Sequence, residues 1–326
     1  MKATALAHSN IAFVKYWGKI DSEMNLPLNN SISMNTSEMY TTTTIEFSKD
    51  YEKDMVFLSG KLVSGKSLER IVNHLNIIRK MADKNLKAKI VTENSFPTAA
   101  GMASSAGGFA ALSLAATTAL GIELTEKELT ILARRGSGSA SRSIPSGFVE
   151  WLSAVRSEDS YAYSIEGPDH FDIRDIVAVV SSGKKPVSST IGHSRAETSP
   201  FFKARLGLVS KNLKDVRKGI VEKDFSLLGP ALERDAISMH VVTMSSEPPI
   251  FYWLPATMKI IHFIQNIRSS GAQAYFTIDA GPNVHIITLP EYQKEIESNL
   301  KKMPEVERII SNKPAGQAKL LKKHLF

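Results

Sequence analysis

Hydrophobic spacing divides the chain into a strand-rich beginning and a mixed remainder. Residues 1–47 read mainly as strands and connecting loops; the run "TTTTIEF" (residues 41–47) is rich in β-branched side chains. "KDMVFLSGK" alternates apolar and polar positions up to a Ser-Gly turn. The period then changes. In "SLERIVNHLNIIRKMAD" the apolar residues Leu68, Ile71, Val72, Leu75, Ile78 and Met81 fall at helical spacing. A short strand, "AKIVTEN", follows. From Ser104, "SSAGGFAALSLAATTAL" predicts a buried helix with one flank of small residues. "LTEKELTILARRG" predicts a capped helix, with Thr125 as N-cap, Glu128 completing a capping box and Gly136 as the C-cap glycine. "GFVEWLSAV" and "IVAVVSS" read as strands. The second half carries two long helical patterns, about 200–222 and 255–269. After them "AQAYFTIDAGPNVHIITL" gives two β runs joined by a Gly-Pro-Asn turn. The break in pattern at "SSGKKPVSS" predicts a division near residue 180, into 1–180 and 181–326.

Composition narrows the class. A chain of 326 residues suffices for two domains, and 43% hydrophobic with 22% charged residues is ordinary for a soluble globular protein. The formal charge of +7 is spread along the chain, with no dense basic block and no basic stripe interleaved with aromatics. A nucleic-acid partner is therefore not expected, whereas small polyanionic substrates are compatible with the excess. The absence of cysteine excludes disulfides, zinc thiolates and a cysteine nucleophile. The eight histidines fall singly, so no protein-held transition metal is expected. No run reaches membrane-spanning length and the N-terminus lacks an apolar signal core, which predicts a cytoplasmic protein with no membrane partner.

Four stretches carry candidate chemistry. "FPTAAGMASSAGGFAAL" (residues 96–112) joins an extended run to a helix through small residues, an arrangement in which backbone N–H groups and the helix dipole face an anion. Ser104 and Ser105 would add hydroxyls, or reach a phosphate-bound Mg²⁺. On composition alone, tight helix packing fits as well. In "NIAFVKYWGK" two lysines four apart flank an aromatic pair; as a strand it would place Lys15, Trp17 and Lys19 on one face and Tyr16 on the other. An isolated pair of this kind equally describes a solvated edge strand. "RRGSGSASRS" offers hydroxyl and N–H donors before the guanidinium of Arg142, which suits a carboxylate or phosphate, though a surface loop has the same composition. In "FTIDAGPN" Asp279 ends a β run at a tight turn, where a lone Asp is more often an Asx-turn residue than a base.

Taken in order, "NIAFVKYWGK", "NLPLNNSIS", "FPTAAGMASSAGGFAAL", "ARRGSGSASRS" with "GFVEW", "EPPIFYW" and "DAGPN" resemble the mevalonate diphosphate decarboxylase family of the GHMP kinase superfamily, over nearly the whole chain. The resemblance implies an α+β, two-lobed GHMP-kinase-like fold with a central cleft, pairing a ribosomal protein S5 domain 2-like N-terminal lobe with an α/β C-terminal lobe. It implies a homodimer in isoprenoid biosynthesis that phosphorylates the C3 hydroxyl of mevalonate 5-diphosphate with Mg-ATP, then eliminates phosphate and CO₂ to give isopentenyl diphosphate. Carried over residue by residue, it puts the ATP polyphosphate on Ala100, Gly101, Met102, Ala103, Ser104, Ser105, Ala106, Gly107 and Gly108. It makes Asp279 the base or orienting carboxylate, Arg142 the clamp on the C1 carboxylate, and Lys15 a cation near Asp279 and the transferring phosphoryl group. Tyr16, Lys19, Ser137, Gly138 and Ser139 would hold the 5-phosphate end, with Ser188, Ser189 and Thr190 a further phosphate segment.

The chain departs from the family pattern at "SISMNT", at "IPSGF", at His193 and at Ile20, all in pocket-forming segments. Relatives decarboxylate mevalonate 5-phosphate with ATP, or mevalonate 3,5-bisphosphate without ATP and so without cofactor, or only phosphorylate the 3-hydroxyl. Retention of Lys15, Arg142 and Asp279 disfavours the kinase and a non-catalytic binding protein. ATP-dependent decarboxylation is the leading reading and the ATP-free bisphosphate enzyme the second.

Overall fold

The structure, a computed structural model, describes residues 1–96, 104–183 and 187–326. In chain order the elements are β1 (Lys2–Val14), β2 (Lys19–Asp21), β3 (Leu26–Pro27), β4 (Ser31–Ser48), β5 (Met55–Leu58), β6 (Lys61–Leu62), α1 (Gly65–Met81), β7 (Lys87–Asn94), α2 (Ser104–Leu120), α3 (Glu126–Gly136), β8 (Phe148–Trp151), β9 (Ala162–Glu166) and β10 (Arg174–Val179). They continue with α4 (Ser189–Arg195), α5 (Phe202–Val221), α6 (Phe225–Met244), α7 (Pro255–Ser269), β11 (Ala274–Thr277), β12 (Val284–Thr288), α8 (Gln293–Leu300), β13 (Arg308–Asn312) and β14 (Lys319–Leu321).

One sheet has the order β14-β1-β4-β7-β5-β6, and β8 and β9 extend it from β4. The second sheet runs β11-β12-β10-β13. Thus β10, which precedes residue 180, is hydrogen-bonded in the second sheet, and the late strand β14 returns to the first. Helix α2 lies on the first sheet so closely that a Cβ at Gly107 would stand 3.1 Å from both the Ala7 carbonyl and Thr41 Oγ1. That contact is why alanines line both partners: Ala3, Ala5 and Ala7 of β1 share a core with Ala110, Ala111 and Ala115. A second core joins Ile11 and Phe13 of β1 and Phe148 of β8 to Val209, Val216, Leu228 and Leu232 of α5 and α6. The third packs α7 and α8 on the second sheet.

The Thr125–Glu128 capping box forms at α3. Gly136, however, is the last helical residue and Ser137 the cap; the glycine is required because a Cβ there would sit 2.2 Å from the Phe109 ring. "GFVEWLSAV" yields a strand only over Phe148–Trp151. Helix α6 lacks an apolar stripe to betray it, since it contains Pro230 and exposes Ile237 and Val241 while burying Asp235, His240 and Thr243. Among the described residues no helix is long and apolar enough to cross a membrane.

Candidate active site

The site is assembled where β1 fails. Pairing of β1 with β4 shifts register between Ala12 and Val14, the strand ends at Val14, and Gly18 takes φ +95°. The strand-face alternation read for Lys15–Lys19 therefore does not apply. Lys15 turns into the protein, 2% exposed, and its Nζ donates to the Ala12 carbonyl at 2.7 Å and to Asp279 Oδ1 at 2.6 Å. Asp279 follows β11 from the other lobe, in a turn closed by Gly281 N–H on the Asp279 carbonyl. Thr277 Oγ1 donates to the same Ala12 carbonyl, so one peptide oxygen ties the lobes together.

Burial raises the Asp279 carboxyl, but the adjacent Lys15 ammonium outweighs it, helped by His285 and Arg142, and holds it below the usual carboxylate range. Lys15 is lowered by burial, against the opposing pull of Asp279 and Asp235. Arg142 sits in a 3-10 turn over Gly138–Ser143, 3% exposed, with Nη1 on Ser31 Oγ at 2.6 Å and Nη2 on Asn10 Oδ1 at 3.2 Å. Burial pulls its pKa down to about 10, with Asp279 opposing, so it stays a cation at neutral pH.

Around this centre the structure gathers the other expected residues. Tyr16 packs edge-on to Trp151, with ring centroids 4.7 Å apart, and over Gly138, where a Cβ would lie 2.7 Å from the Tyr16 ring. Burial pushes the Tyr16 phenol up. Lys19 donates to Asn25 Oδ1 at 2.6 Å, and Asn25 Nδ2 donates to the carbonyls of Arg134 and Arg135. The Ser139 carbonyl accepts from Asn10 Nδ2, which also reaches Ser143 Oγ. Ser188 is the N-cap of α4 through Ile191 N–H, with Ser189 and Thr190 in its first turn. Helix α4 packs against residues 16–18: His193 stacks on Tyr16 and Trp17, at 4.2 and 4.6 Å, and its Nδ1 accepts from Gly18 N–H.

Ser137 Oγ lies 3.2 Å from Ser105 Oγ at the start of α2. Ala100, Gly101, Met102 and Ala103 lie outside the described residues, whereas Ser104, Ser105, Ala106, Gly107 and Gly108 form the first turn and a half of α2. Beside them a cavity of ≈ 220 Å³ has apolar walls (Val56, Leu58, Ile90) and a polar rim of Asn94, Ser104 and Ser105. Gly108 leaves open space over the helix. An apolar slot beside helix N–H groups and two hydroxyls is the chemistry that suits a flat apolar ring with an anion at the helix N-terminus.

Arg70 of α1 also lines this cavity; sequence reasoning missed it, because one arginine on a polar helix face carries no signal. It stacks over Phe109 at 4.7 Å, donates Nε and Nη2 to the Gly136 carbonyl, and helps burial to lower the Lys19 ammonium. Among the described residues no cluster of three His, Asp or Glu could hold a metal, so Mg²⁺ would depend on phosphate oxygens together with Ser104 or Ser105.

Two lobes, a small-residue helix N-terminus beside an apolar cavity and a cationic cleft define a GHMP-kinase-type phosphate-handling protein. Residues 7–162 match the family described as "Diphosphomevalonate decarboxylase-like N-terminal domain", and residues 175–323 "Mevalonate 5-diphosphate decarboxylase C-terminal domain". The diphosphomevalonate decarboxylase of Candida albicans is 38% identical over 92% of this chain and 88% of its own. A phosphomevalonate decarboxylase of Haloferax volcanii is 33% identical over 91% of both. The mevalonate diphosphate decarboxylase structure from Staphylococcus aureus aligns with TM-score 0.94 at 38% identity, covering 98% of each chain. A further structure, at TM-score 0.92 and 36% identity over 99% of each chain, holds MVAPP, AMPPCP and magnesium. The chain belongs to the diphosphomevalonate decarboxylase family.

Proposed function

We propose that the protein is an ATP-dependent diphosphomevalonate decarboxylase, converting mevalonate 5-diphosphate to isopentenyl diphosphate, CO₂, ADP and phosphate. The observation that supports this reading is the 3.2 Å contact of Ser105 with Ser137, which brings the start of α2, where the ATP phosphates are proposed to lie, against the 137–142 turn proposed to hold the substrate. Mg²⁺ with ATP would neutralise the phosphate charge.

In the first step the C3 hydroxyl oxygen attacks the terminal phosphorus, the bond to ADP breaks, and the hydroxyl proton leaves toward Asp279. A carboxylate held this acidic is a weak base, so its main work is to orient the hydroxyl, with Lys15 beside the transferring group. In the second step the C3–O bond breaks with its electron pair leaving on phosphate. The electrons of the C1–C2 bond then form the double bond as CO₂ departs. Lys15 steadies the leaving phosphate, Asp279 the positive charge at C3, and Arg142 fixes the carboxylate. Tyr16, Ser137, Gly138, Ser139 and the Ser188–Ser189–Thr190 segment bind the 5-phosphate end. Lys19 and Arg70, close enough to influence each other's charge, suit two phosphates better than one.

For the lobes we propose residues 1–180 and 181–326 as principal spans, with β10 and β14 exchanged between sheets. A cytoplasmic homodimer is also proposed, supported by the cysteine-free composition and by the family resemblance. The test follows CO₂ and phosphate release from mevalonate 5-diphosphate, 5-phosphate and 3,5-bisphosphate, each with and without Mg-ATP. Turnover of the diphosphate only with ATP, with one ADP per CO₂, is expected. Turnover of the bisphosphate alone without nucleotide would replace this reading with the ATP-free one.

A further inference from the structure

The reaction uses the Lys15 side chain, yet what fixes the Lys15 backbone is a separate matter. Lying beyond the end of β1, its peptide groups have no strand partner. Buried side chains take that place. The Lys15 N–H donates to Asp235 Oδ2 at 2.6 Å, and its carbonyl accepts from Asn29 Nδ2 at 3.0 Å and Arg205 Nη2 at 3.2 Å. Asp235 also accepts from Asn212 Nδ2 at 3.1 Å and from Arg205 Nη2 at 3.4 Å. Arg234 Nε in turn holds Asn212 Oδ1. Asp235 and Asn212 are completely buried and Arg205 nearly so. A carboxylate at such a place is unfavourable unless its lone pairs are satisfied. Here the shortest contact is to the Lys15 peptide and the longest to the arginine, so the cluster is organised around Lys15 rather than around an ion pair.

We infer that Asp235, with Arg205, is a positioning residue for decarboxylation, gripping the Lys15 backbone from the second lobe so that the ammonium meets Asp279. The inference rests on the proposed role of the Lys15 ammonium. Its charge matters as well as its hydrogen bond. The groups facing Lys15 are Asp279 from the turn after β11, Asp235 and His240 from α6, Arg205 from α5 and Arg142 from the 3-10 turn. Burial drives His240 down to about 3, so it is neutral. Asp279 and Asp235 are the two anions that keep the buried ammonium protonated, with Arg142 opposing them.

Asp235→Asn removes the charge and leaves an amide oxygen able to accept from the Lys15 N–H, Asp235→Ser removes the charge and, being one bond shorter, that contact as well, and Asp235→Glu keeps the charge. With full-length chains, kcat and KM for mevalonate 5-diphosphate are measured across pH 6–10 with saturating Mg-ATP, alongside thermal unfolding. In the Asn and Ser variants kcat falls at least about ten-fold at neutral pH while KM changes little. The alkaline limb of kcat moves down by on the order of one pH unit. Asp235→Glu returns the limb to its parental position. A purely structural role would lower the unfolding temperature and scale kcat at every pH, leaving the limb in place, and that result would overturn the inference. An inactive parent chain would instead overturn the function itself.

Discussion

Gly136 lies against the ring of Phe109, and a Cβ on it would stand 2.2 Å from Phe109 Cδ1. The same ring carries the Arg70 guanidinium, which is also bonded to the Gly136 carbonyl. Gly136→Ala must displace the ring, and overpacking of this kind destabilises by about 1–3 kcal/mol. Moving the ring also moves Arg70 at the rim of the nucleotide cavity. The expected outcome is a lower unfolding temperature together with a raised KM for ATP, both eased by adding Phe109→Leu. A variant as stable as its parent would show that α2 and α3 separate more freely than this contact implies.

The Asp279 carboxylate, 2.6 Å from Lys15 Nζ, is held below the ordinary Asp value of about 3.9. Its contribution to stability is therefore fully present above that unfolded value and is lost only as pH falls through the lower folded one. The acid limb of activity should accordingly lie elsewhere, in substrate phosphates that titrate near 6. Asp279→Asn should reduce kcat by about 10²–10³-fold, the scale of losing one electrostatic stabiliser, with substrate binding largely retained. Isothermal titration with mevalonate 5-diphosphate and a turnover assay check both halves. Near-normal turnover would remove Asp279 from the chemistry.

Arg142 is rigid because Ser31 and Asn10 hold both terminal nitrogens. If it clamps the carboxylate that departs as CO₂, its loss impairs elimination more than phosphoryl transfer. Arg142→Ala should then release ADP in excess of CO₂, whereas the parent gives one of each. Lysine cannot restore the fork, so Arg142→Lys should be nearly as defective. Quenched single-turnover measurement of ADP and CO₂ separates the steps, and CO₂ release at the parental rate would refute the clamp.

What the chain disclosed in advance follows from how locally each feature is determined. The period and caps of α3 are written within one stretch, and the Thr125–Glu128 box forms as expected. Gly136 looked like a cap because a glycine after a helix usually is one; its actual constraint comes from Phe109 on another helix. The end of β1 at Val14 was invisible for the same reason, since Asp235 and Arg205, about two hundred residues away, replace the missing strand partner. Helix α6, which supplies that aspartate, shows no stripe because its exposed face carries Pro230, Ile237 and Val241 while its buried face includes Asp235, His240 and Thr243. The order of Lys15, Arg142 and Asp279 was legible only as a set, through family resemblance, and Arg70 not at all.

Glu150 of β8 has a fully buried side chain, yet its principal partner, Arg217 of α5, remains 41% exposed. The guanidinium meets it through two nitrogens, Nε at 2.9 Å and Nη2 at 2.6 Å, while Tyr163 and Asn30 donate the remaining hydrogen bonds. This pair joins α5, which packs on β1 beside the site, to the strand that follows the Arg142 turn. Arg217→Met leaves the carboxylate buried with only neutral donors, a loss of about 1–3 kcal/mol for an under-satisfied polar group. Glu150→Gln removes the charge that Arg217 neutralised, so the double variant should recover part of what Arg217→Met loses. Chemical denaturation of the two single variants and the double variant measures the coupling. Simple additivity would mean that water already satisfies Glu150 and that this ion pair contributes no coupling between α5 and β8.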